Sequence, residues 1–307
     1  MRTGRTMAGR RAPGGGGGNR VAALGSPAGR CLAPVLHRAA YAAMGLDGWS
    51  HEAIDCDQEA LPALLGSFGP DWAGTTLAVP LPRAVLPLLD EVSELAMDVG
   101  GADTVVFRHG RSVGEHTGAH GIRSAIHQAG LTAPGSAVVL GGGAGACSAL
   151  AALREVGVRE PVVVVRERDR ALEVEAAAGR LGVSVELRHV DELGRLLRGV
   201  PVVVSTLPAG AADALAPTVA RSGAAVLDAV CSAWPTRLAK AAGFAGSTVV
   251  DGLTMRLHRT VRQIELLTGR ACVGELPLAA MRAAALDELA RREARSAEPA
   301  GSGGKLM

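Results

Sequence analysis

Val138-Val139-Leu140, Gly141-Gly142-Gly143-Ala144-Gly145-Ala146 and Cys147-Ser148-Ala149-Leu150-Ala151-Ala152-Leu153 follow one another without a break. The order is apolar strand, glycine turn and small-residue helix start. Gly141, Gly143 and Ala146 fit the G-x-G-x-x-G/A spacing by which a βα turn receives the pyrophosphate of a dinucleotide, with Ala144 and Gly145 completing the turn. A turn without side chains lets phosphate oxygens reach backbone N–H groups. The helix N-terminus adds a partial positive charge.

Outward from this turn, short β-branched runs alternate with helix patterns. In the second half the runs are 137–140, 161–165, 183–187, 202–205, 225–229 and 248–250. In the first half they are 20–24, 49–54, 75–79 and 104–108, with helix patterns over 33–44, 58–66 and 83–89. The runs lack polar alternation, which predicts strands covered on both faces, as in a parallel sheet. Repeated βα units with short loops predict an α/β fold of two domains. The C-terminal one, residues 111–252, is a Rossmann-type doubly wound parallel sheet that binds the dinucleotide. The N-terminal one, residues 20–110, is an α/β substrate domain and recovers the last helices, 253–292. Residues 110–121 read as the linker, and 1–19 and 294–307 as disordered tails.

The second strand of the nucleotide unit ends at Val165 and runs into Arg166-Glu167-Arg168. An acidic residue about twenty positions past the glycines would hold the ribose of NAD, whereas arginine would hold the 2′-phosphate of NADP. Arg166 and Arg168 favour NADP over NAD.

Composition excludes other classes. The net charge of +2 and the 2% aromatic content give no electrostatic footprint and few stacking platforms for nucleic acid. No apolar run is long enough to span a bilayer. The five scattered cysteines, Cys31, Cys56, Cys147, Cys231 and Cys272, form no C-x-x-C pair, which predicts a reduced cytoplasmic protein. The expected partner is a small molecule, and a homodimer is left open. His116 and His120 have H-x-x-x-H spacing, but Gly114, Gly118 and Gly121 argue against a continuous helix and no third ligand is evident, so no metal site is assigned.

Several segments, in order, resemble the shikimate dehydrogenase family, including its quinate/shikimate relatives, over about 21–292. Gly25-Ser26-Pro27 with Pro34 and His37 is similar to G-x-P-x-x-H-S-x-S-P-x-x-H. Gly74-Thr75-Thr76-Leu77-Ala78-Val79-Pro80 resembles G-x-N-V-T-x-P, and Gly100-Gly101-Ala102-Asp103-Thr104-Val105 resembles G-A-x-N-T-V. Gly114 to Gly121 resembles G-x-N-T-D-x-x-G. Ser205-Thr206-Leu207-Pro208-Ala209-Gly210 resembles N-x-T-P-x-G, and Gly252-Leu253-Thr254-Met255 resembles G-x-x-M. The resemblance implies NADP(H)-dependent oxidation and reduction between shikimate and 3-dehydroshikimate, in aromatic amino-acid biosynthesis. It adds Thr206, Leu207, Pro208, Ala229 and Gly252 to the cofactor-binding set.

The scaffold residues match this pattern better than the chemical ones do. The family's proton-handling lysine falls on Pro82 and its partner aspartate on Gly118. The serines that bind the substrate carboxylate fall on Cys31 and Ala33. The threonine falls on Ala78, the two asparagines on Asp103 and His116, the tyrosine near the end of the Asp228 strand on Cys231 and the glutamine of the last helix on Arg259. A pocket of Arg30, Cys31, Ala33, Thr76, Ala78, Arg83, Asp103, His116, Cys231 and Arg259 is expected, with His116 and Asp103 as substitutes for the missing acid. Two readings follow. One is an oxidoreductase of this family with an altered substrate. The other is a catalytically degenerate relative that binds a dinucleotide or senses a ligand.

Overall fold

The computed structural model describes residues 18–272, 274 and 276–297, and the tail expectations for 1–17 and 298–307 lie outside them. Among the described residues twelve strands form two six-stranded sheets. The first sheet contains β1 (Arg20–Gly25), β2 (Ser50–Asp55), β3 (Trp72–Leu77), β4 (Glu91–Val92), β5 (Thr104–Arg108) and β6 (Arg111–Glu115). The second contains β7 (Ala137–Leu140), β8 (Val162–Val165), β9 (Glu186–His189), β10 (Val202–Ser205), β11 (Ala225–Asp228) and β12 (Val249–Asp251). The helices are α1 (Ala33–Ala43), α2 (Leu61–Gly66), α3 (Leu81–Ala84), α4 (Glu94–Val99), α5 (Gly118–Gln128) and α6 (Ala144–Glu155). They continue with α7 (Leu172–Leu181), α8 (Leu193–Leu196), α9 (Ala216–Ser222), α10 (Arg237–Phe244), α11 (Gly252–Thr268) and α12 (Leu276–Ala297).

The second sheet has the order β12-β11-β10-β7-β8-β9 and every pair is parallel. Its strand order reverses at β7, so the crevice beyond the carboxyl ends of β7 and β10 is the ligand position of a doubly wound fold. The β-branched content explains the strands: Val138, Val139, Val163, Val202, Val203 and Val204 are all fully buried. Both faces are covered. One packs on α5, α6 and α7, the other on α8, α9 and α10.

The first sheet departs from the expectation of parallel strands. Its order is β2-β1-β3-β5-β6-β4, and both β3–β5 and β5–β6 are antiparallel. The cause lies in residues 110–121, which are not a linker. Gly110 has φ +74° and His109 φ +51°, which turns the chain back into the hairpin partner β6. Thr117 then precedes α5, which runs unbroken through Gly118 and Gly121. Glycine costs helix stability only modestly, and tertiary packing overrides it here. A Cβ on Gly121 would lie 2.6 Å from Met255 O, so the glycine permits α5 to lie against α11. At the other end, 294–297 belong to α12 rather than to a tail.

The last two helices return to the first sheet. Leu253, Leu257 and Ile264 of α11 share a core with Leu32, Leu36 and Ala40 from the start of the chain. Leu266 and Leu267 cover Val21, Ala73 and Val106 of the sheet itself. Met281 and Ala285 of α12 close this cluster against α1.

Two histidines sit inside this half. His37 and His51 are 0% and 3% exposed, with ring centroids 4.2 Å apart. His37 meets Tyr41 Oη at 3.1 Å and Gln263 Oε1 at 3.3 Å. Burial pushes His37 down to about 4, partly offset by Gln263, and burial together with neighbouring His37 and Arg38 holds His51 well below its usual value. The unfolded chain takes up these protons near pH 6.5 and the folded chain does not. Stability is therefore full above about pH 6.5 and is lost as pH falls toward 4. Calorimetry between about pH 7 and 4.5 is expected to show a falling melting temperature, and His37→Asn is expected to reduce the slope. A melting temperature flat across this interval would contradict the burial account.

Candidate functional site: a dinucleotide turn facing a pocket with two arginines

The turn from β7 to α6 has the geometry a pyrophosphate needs. Gly141 has φ +115°, and a Cβ there would lie 2.7 Å from Thr206 Oγ1. Gly143 caps α6 in extended backbone and has nothing within 4 Å of its Cβ position, while Gly143, Ala144 and Gly145 are exposed. The amides of Ala146 and Cys147 bond back to Gly143 O, which leaves those of Ala144 and Gly145 at the helix head for an anion. Ala146 is buried against the sheet. Thr206 donates to Leu140 O at 3.0 Å, which fixes the loop carrying Leu207 and Pro208 beside the turn. A Cβ on Gly252 would lie 2.5 Å from Ala229 O, so glycine lets α11 begin against the end of β11. Arg166 and Arg168 are exposed at the carboxyl end of β8. Arg168 has a loose contact with Glu175 at 3.8 Å, and Arg166 forms no ion pair among the described residues. These residues fit an NADP(H) molecule.

A second concavity lies at the carboxyl ends of β1 and β3 against α11. Cys31, Ala33, Thr76, Ala78 and Arg259 line it. Ala23, Leu36 and Leu77 add apolar wall, and Arg256, Thr260 and Gln263 add a polar stripe. These three were not singled out in the sequence. Their signal was the spacing 256, 259, 260 and 263, one face of a helix.

Asp103 lies just beyond this lining, 4% exposed. Its Oδ1 accepts from Thr104 Oγ1 at 2.9 Å, Thr117 N at 2.9 Å and Thr117 Oγ1 at 2.6 Å. Its Oδ2 accepts from Gly118 N at 2.8 Å and faces Arg259 Nε at 3.5 Å. Burial pushes its pKa up, but Arg259, His116 and the Thr117 bonds outweigh burial and hold it below the usual carboxylate range. It is therefore ionised at neutrality. His116 places Nδ1 3.0 Å from Gly101 O and Nε2 3.1 Å from Ser148 Oγ in the second sheet's α6. His116 so bridges the two sheets' helices rather than lining the concavity. His120 turns to Arg123, at 2.9 Å, and no group of three metal-ligating side chains occurs among the described residues.

Arg30 and Arg83 do not join the lining. Arg30 ends a short helical turn whose carbonyl accepts from Arg292, and Arg83 pairs with Glu173 at the head of α7. Cys231 takes part through a neighbour: its Sγ accepts from Arg256 Nε at 3.2 Å.

A family model described as the shikimate dehydrogenase substrate binding domain matches residues 23–105. The shikimate dehydrogenase (NADP(+)) of Methanosarcina acetivorans is 31% identical over 262 residues, covering 82% of this chain and 94% of that one. A Thermus thermophilus shikimate dehydrogenase (NADP(+)) is 34% identical over 251 residues, covering 81% and 92%. The chain belongs to the shikimate dehydrogenase family. In three dimensions the crystal structure of Mycobacterium tuberculosis shikimate dehydrogenase is similar with a TM-score of 0.79 at 35% identity, covering 88% of this chain and 99% of that one. A Thermus thermophilus enzyme of the family, in complex with NADP(H) and shikimate, gives 0.74 at 31% identity, covering 86% and 99%.

Two of the replacements against the family pattern have defined local settings. Pro82 packs on the backbone at Gly101, and its carbonyl accepts from Ala102 N at 2.9 Å. A Cβ on Gly118 would lie 3.1 Å from His116 Nε2, 3.3 Å from Ser148 Oγ and 3.4 Å from Asp103 Oδ2. The Asp103 carboxylate therefore stands beside the position at which the family pattern has an aspartate. Gly118→Asp is expected to destabilise by about 2–4 kcal/mol, because it sets a second carboxylate beside Asp103 in a buried site. Urea unfolding measures this, and an unchanged midpoint would show that the site has room for both.

Proposed function

We propose that the chain is an NADP(H)-dependent oxidoreductase that interconverts a small hydroxy acid and the corresponding keto acid. The observation that carries this reading is the open glycine turn at the head of α6 within a chain that spans nearly the whole length of shikimate dehydrogenase (NADP(+)) relatives. Residues 118–252 would hold the dinucleotide, and residues 20–115 with 253–292 the acid. NADP(H) supplies the hydride when bound. Thr206 and Gly141 keep the turn open to it, and Arg166 and Arg168 stand where its 2′-phosphate belongs.

The proton follows a different path from the family pattern. Reduction of a carbonyl leaves an alkoxide that must be protonated. Asp103 is ionised and cannot donate, and Pro82 has no proton. His116 is the imidazole beside the Gly118 gap, with Ser148 on its Nε2. We assign it the proton through a water relay, because the ring stands behind the concavity wall: its protonated imidazole passes one proton by way of water to the alkoxide and recovers it from solvent. The Asp103 carboxylate stands 3.8 Å from its Nδ1, as the counter-charge to that imidazolium.

Shikimate itself fits poorly. Cys31, Ala33 and Ala78 offer no hydroxyl, which leaves polar groups of a polyhydroxy acid unpaired at about 1–3 kcal/mol each. Shikimate oxidation is expected at least about a hundredfold below the ordinary enzyme rate of roughly ten per second. Full-rate turnover would show that the substrate has not changed. Pro82→Lys alone is expected to raise this rate more than Pro82→Lys with Gly118→Asp, since Asp103 already supplies the carboxylate. His116→Ala is expected to lower turnover of any accepted acid by about a hundredfold while leaving NADPH binding intact.

Fluorescence titration is expected to show NADPH binding about tenfold or more tighter than NADH, a difference of ~1.4 kcal/mol or more, and Arg166→Ala/Arg168→Ala is expected to abolish the preference. Equal affinities in the unaltered protein would make the arginines surface charges. Absence of both NADPH binding and turnover would favour the ligand-sensing reading. A cytoplasmic site of action is part of the proposal, and light scattering tests the homodimer.

A further inference from the structure

We propose that Arg256 anchors the acid group of the substrate, and that the substrate body is a carbocyclic or similar monocarboxylate with fewer hydroxyls than shikimate. This rests on the hydroxy/keto-acid reading given above. Arg256 lines the concavity from the same face of α11 as Arg259 and Thr260. Its Nε donates to Cys231 Sγ at 3.2 Å, which fixes the plane of the guanidinium. Its remaining nitrogens make no hydrogen bond, and no carboxylate lies within ion-pair distance, among the described residues.

That combination is unusual for arginine. A partly buried charge without a counter-ion costs free energy, and a folded chain keeps one where a ligand completes it. The guanidinium fork matches a carboxylate by two parallel hydrogen bonds. Arg259 differs, because Asp103 already faces it at 3.5 Å. Two guanidinium groups against one carboxylate leave an excess of one positive charge, which suits a monoanion. Cys31 does not cancel it: burial pushes its thiol up despite Arg256, Arg259 and Arg292, so it stays protonated.

The rest of the wall speaks to the body of the ligand. Ala23, Ala33, Leu36, Leu77 and Ala78 present carbon, and Cys31 a weakly polar thiol. An apolar ring is better accommodated there than one with several hydroxyls. Specificity then moves from hydroxyl groups on the strand ends to one charged residue on the last sheet-covering helix.

The test is calorimetric titration of the full chain with cyclohex-1-ene-1-carboxylate and, as a neutral control, its carboxamide. The acid is expected to bind in preference to the amide. Arg256→Met is expected to weaken the acid by roughly ten- to a hundredfold, the range for a charge-assisted contact, with the amide unaffected. Arg256→Lys is expected to retain part of the affinity. The melting temperature of Arg256→Met is expected to be unchanged or higher, because the charge removed had no carboxylate partner among the described residues and its one hydrogen bond goes to a thiol. A merely structural arginine would lower it. Acid binding that is equal in Arg256→Met and the unaltered protein, or no preference for acid over amide, would overturn the proposal. NADPH titration of the same samples separates the two readings. Arg256-dependent acid binding without NADPH binding defeats the oxidoreductase and leaves the anchor. NADPH binding with Arg256-independent acid binding defeats the anchor alone. Should Arg256→Met not fold, equal acid binding by Arg256→Lys and the unaltered protein would overturn the proposal, since lysine lacks the fork.

Discussion

The Asp103 carboxylate is the constraint on which the site depends. It is taken out of water at the mouth of β5, where an unpaired charge would cost several kcal/mol. Four hydrogen bonds from Thr104, Thr117 and Gly118, together with the Arg259 guanidinium, compensate it. The donors come from three pieces of chain: β5, the cap and first residue of α5, and α11. One side chain thereby fixes the end of the first sheet, the start of the helix that leads into the second sheet, and the helix that returns from it. His116, held at the same corner, carries the connection on to Ser148 of α6.

This arrangement accounts for a chain that keeps a family's scaffold while exchanging much of its chemistry. Moving the carboxylate from position 118 to position 103 leaves a charge in nearly the same place, since the Gly118 Cβ position is 3.4 Å from Asp103 Oδ2. Its opposite partner becomes Arg259, whose guanidinium does not exchange a proton near neutrality. The pair therefore orients and no longer transfers. On the proposed function, proton movement would come from imidazole or solvent and acid recognition from a guanidinium, which would put the chemistry on His116 and the two arginines of α11.

Behind the pocket, His37, His51, Tyr41, Gln263 and Thr104 form a buried polar layer. Gln263 accepts from His37 and donates to Thr104, which in turn donates to Asp103. The neutral state of His37 is thus tied through two side chains to the carboxylate at the site. Acid that charges the histidines acts on fold stability and on the pocket's rear wall together.

The sequence by itself determined the α/β class, the strand–glycine turn–helix order around Gly141–Ala146 and the strand at Ala137–Leu140. These rest on local signals, glycine spacing and β-branched runs, whereas the pocket positions Cys31, Ala33, Thr76, Ala78 and Arg259 came from the family resemblance. Tertiary structure alone decided what depends on partners distant in the chain. Residues 111–115 read as linker because their glycine, serine and charges carry little propensity, yet backbone pairing with Thr104–Arg108 makes them a strand. Gly118 and Gly121 read as helix breakers, yet close approach of α11 requires a residue without a side chain at 121. Arg256 was silent in the sequence because one arginine in a chain rich in them gives no signal; only the fold shows that its guanidinium meets Cys231 and a pocket, and no carboxylate among the described residues.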